Sequence, residues 1–392
     1  MDYVLTQISK CVKKVSTWNP KQEPDAEDFP YVDLSSVDKE SKNIALESVE
    51  LVSPADAPSR ARQLIVTGDV LVSTVRPNLN GVALVTKELD GATASTGYCV
   101  LRPEPTKLDS RYLFYWVQSP NFVESMMMQA TGANYPAVSD RIVKQSEIPL
   151  PPLSEQKRIA AILDKADALR RKRQQAIDLA DQFLRSVFLD MFGDPATNPK
   201  GWQTKPIKDL ARVVTGNTPS RQEPENYGSS IEWIKSDNIN TPDHYLTEAE
   251  EFLSDAGLKK GRSVPRGSVL ITCIAGSPQC IGNAAIADRE VSFNQQINAL
   301  VPEGEATTEY LYSVALFGKK LIQSISTNAM KGMVSKGNLE KLLVPAPPLA
   351  LQEKYSETFK DFLTKRKRQV CSLSQSESLF LSLSQQAFSG QL

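Results

Sequence analysis

From Ile148 to Phe192 the apolar positions settle into a helical rhythm. Ile159, Ile162, Ala166, Leu169, Ala176, Ala180, Phe183 and Val187 recur at alternating steps of three and four, with Arg173 as the one polar interruption. Such spacing puts them on one stripe of a helix and predicts a heptad seam that needs a partner. Pro151 and Pro152 bar helix before them, Ser154 is a suitable N-cap, and Gly193 and Pro195 supply the stop. The partner is in the same chain. A shift of 196 residues lays Ile148-Pro149-Leu150-Pro151-Pro152-Leu153 on Val344-Pro345-Ala346-Pro347-Pro348-Leu349, and carries Gln156 to Gln352, Arg170 to Arg366, Val187 to Leu383 and Phe192 to Phe388. In this second copy Tyr355, Phe359, Phe362, Leu373, Phe380 and Leu383 trace a less regular stripe, from about Ala350 to Phe388. Each helix is roughly 39 residues, or about 58 Å, and the simplest packing is an antiparallel pair.

The segments before the helices also repeat. In the first, Gly68-Asp69 opens the apolar run Val70-Leu71-Val72, a polar stretch follows through Arg76-Pro77-Asn78-Leu79-Asn80-Gly81, and a second run begins at Val82. Two strands joined by a polar loop are predicted. Tyr112 to Val117 is compatible with helix or strand, Phe122 to Gln129 reads as helix, and Gly132-Ala133-Asn134-Tyr135-Pro136 as a loop. Gly267 to Thr272 matches Gly68 to Ser73 at a shift of 199, and Leu300-Val301-Pro302-Glu303 matches Leu101-Arg102-Pro103-Glu104. The loops differ: Arg76 to Asn80 becomes Ala275-Gly276-Ser277-Pro278-Gln279, and Gly216-Asn217-Thr218-Pro219-Ser220-Arg221 has no obvious counterpart. Similar scaffolds with different tips imply two related surfaces that read different things. The whole is an α+β protein with a pseudo-twofold internal repeat: two mixed α/β segments, 1–150 and 194–347, and a coiled-coil-like pair of long antiparallel helices within 151–193 and 348–392.

Composition narrows the chemistry. With 41% hydrophobic and 23% charged residues the chain is ordinary for a globular protein, and neither a long apolar run nor a signal-peptide pattern marks it for a membrane or for export, so a cytoplasmic location is expected. Five scattered cysteines read as reduced thiols. A single histidine, His244, in the polar stretch TPDHYLTE, rules out two-histidine zinc motifs and reads as a surface residue. Neither a GxxxxGK[ST] loop nor a GxGxxG turn is present, and the Asn-Pro-Pro-aromatic motif of amino-methyltransferases is missing. A nuclease-like set can be forced from Pro24-Asp25 and Glu40-Ser41-Lys42, but among 46 acidic residues such a match arises by accident. The net charge of −1 argues weakly against nucleic acid. Two basic blocks, Arg170-Arg171-Lys172-Arg173 and Lys365-Arg366-Lys367-Arg368, oppose that, as solvated faces or as contacts for phosphates or an acidic partner.

What remains is polar side chains on loops, suited to base edges: arginine to guanine, asparagine or glutamine to adenine. The candidates are Ser73, Thr74, Arg76, Asn78, Asn80, Asn134 and Tyr135 in the first half, and Asn217, Thr218, Ser220, Arg221, Lys235, Gln279, Asn328 and Lys331 in the second. Asn294-Gln295-Gln296 reads instead as buried polar structure. No catalytic or metal-ligating set is predicted.

The two proline-rich helix starts (IPLPPLSEQKRIA and VPAPPLALQEKYS), with GDVLVSTVRPNLNGVALV, ATGANYPAVSDRIV, TGNTPS, SPQCIGNAAI and FNQQINALVP, resemble the specificity subunits of type I restriction-modification systems across the whole chain. The resemblance implies two target-recognition domains, each reading one half of a bipartite double-stranded DNA site, with the helices setting the gap. It also implies a subunit without catalysis of its own. It implies as well that DNA adenine methylase subunits, two of them, assemble on the chain and that restriction/translocase subunits join, with S-adenosylmethionine, ATP and Mg expected in those partners. The rival readings are a coiled-coil interaction scaffold that never reads DNA, and a self-sufficient nuclease or methyltransferase.

Overall fold

The computed structural model describes residues 3–132, 134–327 and 332–392. Two compact units divide the chain: Met1–Gln175 with Val370–Leu392, and Ala176–Gln369.

In the first unit, short apolar runs pair into an antiparallel sheet with strand order Val12–Lys13, Tyr98–Pro103, Val70–Ser73, Val82–Leu84. A second sheet runs Glu50–Val52, Phe29–Val32, Thr93–Ser95, Ala61–Leu64, its middle pair parallel. Leu5–Gln7 pairs with Glu147–Pro149 just before the first long helix. The second unit uses the same plan. Its sheets run Ala211–Thr215, Ile297–Pro302, Val269–Thr272, Ala284–Ile286 and Phe252–Leu253, Tyr227–Ile234, Val291–Phe293, Ser263–Val264, with Thr204–Pro206 against Leu343–Pro345. The predicted strands fall inside these sheets. The ambiguous aromatic segment is a helix, Ser110–Trp116, because Asp109 caps it by accepting the N–H groups of Arg111 and Tyr112.

The long helices are Leu153–Phe192 and Leu349–Phe388, 40 residues each. The first begins one residue before the expected cap: Pro152 O already accepts the Glu155 and Gln156 N–H groups at 2.8 and 3.0 Å, so Ser154 lies inside the first turn. The repeated glutamines explain why both helices start where they do. Gln156 is fully buried, takes the Asp109 N–H at 2.9 Å and donates to Lys107 O and Pro151 O at 2.9 Å each. Gln352 does the same with Thr307 N–H, Glu305 O and Pro347 O. Each amide staples a proline-rich turn to the start of a shorter helix. Tyr112 and Tyr310 reinforce these joints by donating to Pro149 O at 2.8 Å and Pro345 O at 2.7 Å.

Within each unit the long helices pack antiparallel. In the first, Arg158 donates to Leu392 O, Arg170 lies over the Phe380 ring, and Arg173 donates to Ser372 O and Ser376 Oγ. In the second, Arg366 bonds Asp181 and the rings of Phe188 and Phe192 meet Tyr355. Tyr355, Phe359, Phe362 and Phe380 are buried, with Leu373 and Leu383 partly so.

On the first helix the seam differs from the expected stripe. Leu169 and Phe183 are 41% and 60% exposed, and Ile162, Ala176, Ala180 and Val187 are only half-buried. The fully packed positions are Ile159, Leu163, Ala166, Ile177, Leu184, Phe188 and Phe192. From Ile159 the real seam steps by four and then three, which brings Arg170 into it beside Arg173. An apolar count penalises that register. The fold tolerates it because Asp167 takes the Arg170 and Arg171 guanidinium groups at 2.6 Å, and the second helix takes Arg173.

Candidate nucleic-acid interface

In the first unit the candidate residues gather on two loops bonded to each other. The strand Val70–Ser73 runs out into residues 74–80, and Val75 forms a bridge with Ala137 of the second loop. Two bonds join the loops, Val138 N–H to Thr74 O at 2.9 Å and Arg76 N–H to Pro136 O at 2.7 Å, and Ala137 N–H to Thr131 O at 2.9 Å closes the second loop on itself. Arg76 and Asn80 both take left-handed backbone, φ 51° and 46°, on either side of the single turn Pro77–Leu79. Asn80 tolerates this conformation better than most residues; Arg76 holds it only because the surrounding bonds do.

The loops separate the candidates into two kinds. Thr74 is buried and donates to Gly97 O, Ser73 donates to Val75 O, and Asn80 donates to Val117 O and Gln118 O at 3.4 and 3.3 Å. These three hold the loop together, so their two hydroxyls and the Asn80 side-chain NH2 are spent inside the protein, against expectation. Arg76, Asn78, Asn134 and Tyr135 face outward, with the Arg76 guanidinium 4.4 Å above the Tyr135 ring. Lys42, from the forced nuclease set, donates to Asn80 O at 2.6 Å. Burial first, then the charge of Arg170, pushes its amine down to about 8, with Asp38 opposing. It therefore supports the loop that carries Arg76, and among the described residues no acidic or cysteine-histidine cluster is placed to hold a metal ion.

The second unit pairs the same two loops: Ile274–Ala275 with Gly332–Met333 antiparallel, and Val334 N–H to Cys273 O at 2.8 Å where the first unit has Val138 and Thr74. Gln279 is exposed on this loop, while Asn328 and Lys331 lie outside the described residues. The other candidates form a neighbouring cluster. Gly216 makes their approach possible, since a Cβ there would stand 2.1 Å from Asn294 O. Asn217 then donates to Lys260 O at 2.7 Å and accepts the Trp233 indole N–H on its carbonyl, Thr218 donates to Gln295, and Ser220 Oγ accepts the Gln222 N–H. Arg221 lies over the Tyr227 and Trp233 rings and pairs with Glu251 at 2.8 Å; Lys235 pairs with the same carboxylate. Hydrogen bonds from Lys235 and Arg221 hold the Glu251 carboxyl below the usual range, outweighing its partial burial. Sequence reasoning missed Glu251, Trp233 and Tyr227; an aromatic residue two positions before a candidate lysine was the available signal. Of the Asn294-Gln295-Gln296 turn, Asn294 is buried as expected, but Gln295 is exposed.

Half of the basic-block side chains are held inside the structure. Arg170, Arg171 and Arg173 are bound as above, and Arg366, 8% exposed, bonds Asp181, Pro242 O at 3.0 Å and Asp243 at 3.6 Å. Lys172, Lys365, Lys367 and Arg368 are exposed. His244 is not a surface residue. It is buried edge-on against Tyr312, Phe359 and Phe362, bonded through Nδ1 to the Tyr312 hydroxyl at 2.8 Å, and sits 3.7 Å from Asp181. Its polar neighbours in sequence concealed this, because the ring fills a space between elements far apart in the chain. Cys11, Cys99 and Cys273 are buried, Cys280 is half-buried and Cys371 exposed, all unpaired. No described helix is long and apolar enough to cross a membrane.

The chain is thus built of duplicated α+β units, each with a paired-loop surface and a share of two long helices. The chain belongs to the type I restriction modification DNA specificity domain family, matching it twice, over residues 10–179 and 199–370. Among curated relatives, the type I restriction enzyme HindI specificity subunit of Haemophilus influenzae is 22% identical over 364 residues, covering 74% of this chain and 76% of that one. Two solved structures share the fold. One comes from work on complex assembly and conformational transition of the type I restriction-modification system, with TM-score 0.61 and 23% identity over 100% of this chain and 98% of the other. The second is the S subunit of a type I restriction-modification system from M. genitalium, with TM-score 0.59 and 15% identity over 99% and 96%.

Proposed function

We propose that the two units are target-recognition domains, each reading one half of a split double-stranded DNA site in the cytoplasm of a bacterium or archaeon, and that the long helices set the gap. The chain performs no chemistry itself. DNA adenine methylase subunits assemble on it, two per chain, and restriction/translocase subunits join them; S-adenosylmethionine, ATP and Mg act in those partners. The observation that carries this reading is the duplicated paired-loop surface. One scaffold recurs in both units while its outward residues change, Arg76 to Ala275 and Asn78 to Ser277 at a shift of 199, as separate half-sites require.

The test is a map of methylated adenines in cells carrying the cognate methylase gene, with and without this chain. A split motif with a fixed gap is expected only in its presence. Unchanged methylation by an active methylase would sink the reading and leave a coiled-coil scaffold without DNA readout in its place.

A further inference from the structure

Arg76 differs from Arg221, Lys235 and Arg366 in how it is held. Arg221 and Lys235 are both neutralised by Glu251, and Arg366 by Asp181 and Asp243. The Arg76 guanidinium has an aromatic face beneath it, Tyr135 at 4.4 Å, and among the described residues no carboxylate pairs with it. Its partner ring is 67% exposed, so the stacked pair stands at the surface rather than in a core.

Its backbone is fixed as firmly. The left-handed conformation at Arg76 precedes a proline, its N–H is bonded to Pro136 O at 2.7 Å, and the far end of the turn is held by Lys42 and by the Asn80 amide. The side chain thus leaves a rigid point with its guanidinium carbon 4.4 Å above the Tyr135 ring, so that an aromatic ring rather than a carboxylate backs its N–H donors. That is the presentation a bidentate contact needs, with much of the ordering cost already met by the loop. A phosphate contact requires none of it, since a flexible lysine or arginine serves as well.

On the reading of this unit as a DNA-recognition domain, we infer that Arg76, stacked on Tyr135, reads one guanine in the first domain's half-site by donating two hydrogen bonds to O6 and N7 in the major groove. Tyr135 is a positioning residue that holds the guanidinium plane. The second domain has Ala275 at the equivalent place, so this contact belongs to one half-site only.

The experiment is methylated-adenine mapping in cells carrying the cognate methylase, with the wild-type chain, Arg76→Asn, Arg76→Lys and Tyr135→Leu. Asparagine suits left-handed backbone and preserves the loop. The wild type is expected to give a split motif with a fixed G·C pair in at least one half. Arg76→Asn should give the same motif with that one pair degenerate, its discrimination down roughly 10- to 100-fold, and the gap and other half unchanged. Tyr135→Leu should weaken discrimination at the same pair without changing its identity. An unchanged Arg76→Asn motif, or a split motif lacking guanine in both halves, overturns the inference and leaves the proposed function standing. So does a uniform fall in methylation that Arg76→Lys restores, which marks a phosphate contact. If Arg76→Asn abolishes methylation, Arg76→Lys decides: relaxation at one pair supports the guanine contact, and uniform behaviour at all sites overturns it. Absence of any split motif with the wild type removes the proposed function as well.

Discussion

Asp181 joins three elements through one carboxylate: it lies on the first long helix, 2.9 Å from Arg366 of the second and 3.7 Å from His244. Burial alone raises its carboxyl, but His244 and Arg366 outweigh this and hold it below the usual carboxylate range. At 3.7 Å the imidazole is too distant for a good hydrogen bond, so the guanidinium is the stronger partner. Because the folded-state pKa is depressed, the stability Asp181 contributes is present above the unfolded value of about 4 and is lost as pH falls through the lower folded value. The side chain is 40% exposed, which tempers its worth. Asp181→Asn is expected to cost about 1–2 kcal/mol at neutral pH, with Arg366 still held by Asp243 and Pro242 O. Urea titrations should show the gap from wild type closing below about pH 4; an equal loss at pH 7 and pH 3 would contradict the electrostatic account.

For the long helices the decisive question is register. Phe183 and Leu184 are adjacent, yet Phe183 is 60% exposed and Leu184 is 1% exposed. Leu184→Ala should therefore cost about 2–5 kcal/mol, whereas Phe183→Ala should stay within about 1 kcal/mol, measured as denaturation midpoints. The reverse ranking would restore the stripe drawn from apolar spacing alone. Helix positions were legible because prolines, glycine and period are local signals, and the repeat was legible because Gln156 and Gln352 perform the same stapling. The register was not, since Arg170 and Arg173 sit in the seam with partners that apolar periodicity does not register. The candidate loops were half legible. Their polar residues were visible, but which of them turn inward depends on carbonyls such as Gly97 O and Val117 O, 23 and 37 residues away. Glu251 stayed hidden for the same reason, as it lies 30 residues from Arg221.

At the scale of the whole molecule, each long helix is unbroken over 40 residues and contributes to both compact units, so the boundary between units falls within the helices, at Gln175/Ala176 and Gln369/Val370. Residues added at those two points leave the residues of each unit together and preserve every contact within it. On the proposed function, one in-phase heptad inserted at each point extends the helices by about 10.5 Å, which is roughly three base pairs at 3.4 Å each. The methylated motif is then expected to keep both half-sites and to widen its gap by roughly three base pairs. A heptad in one helix alone has no partner and should instead lower stability and abolish the motif. If the double insertion leaves a folded, active subunit whose gap is unchanged, the helices do not measure the spacing, and the gap must be set by the partner subunits or by the DNA's own bending.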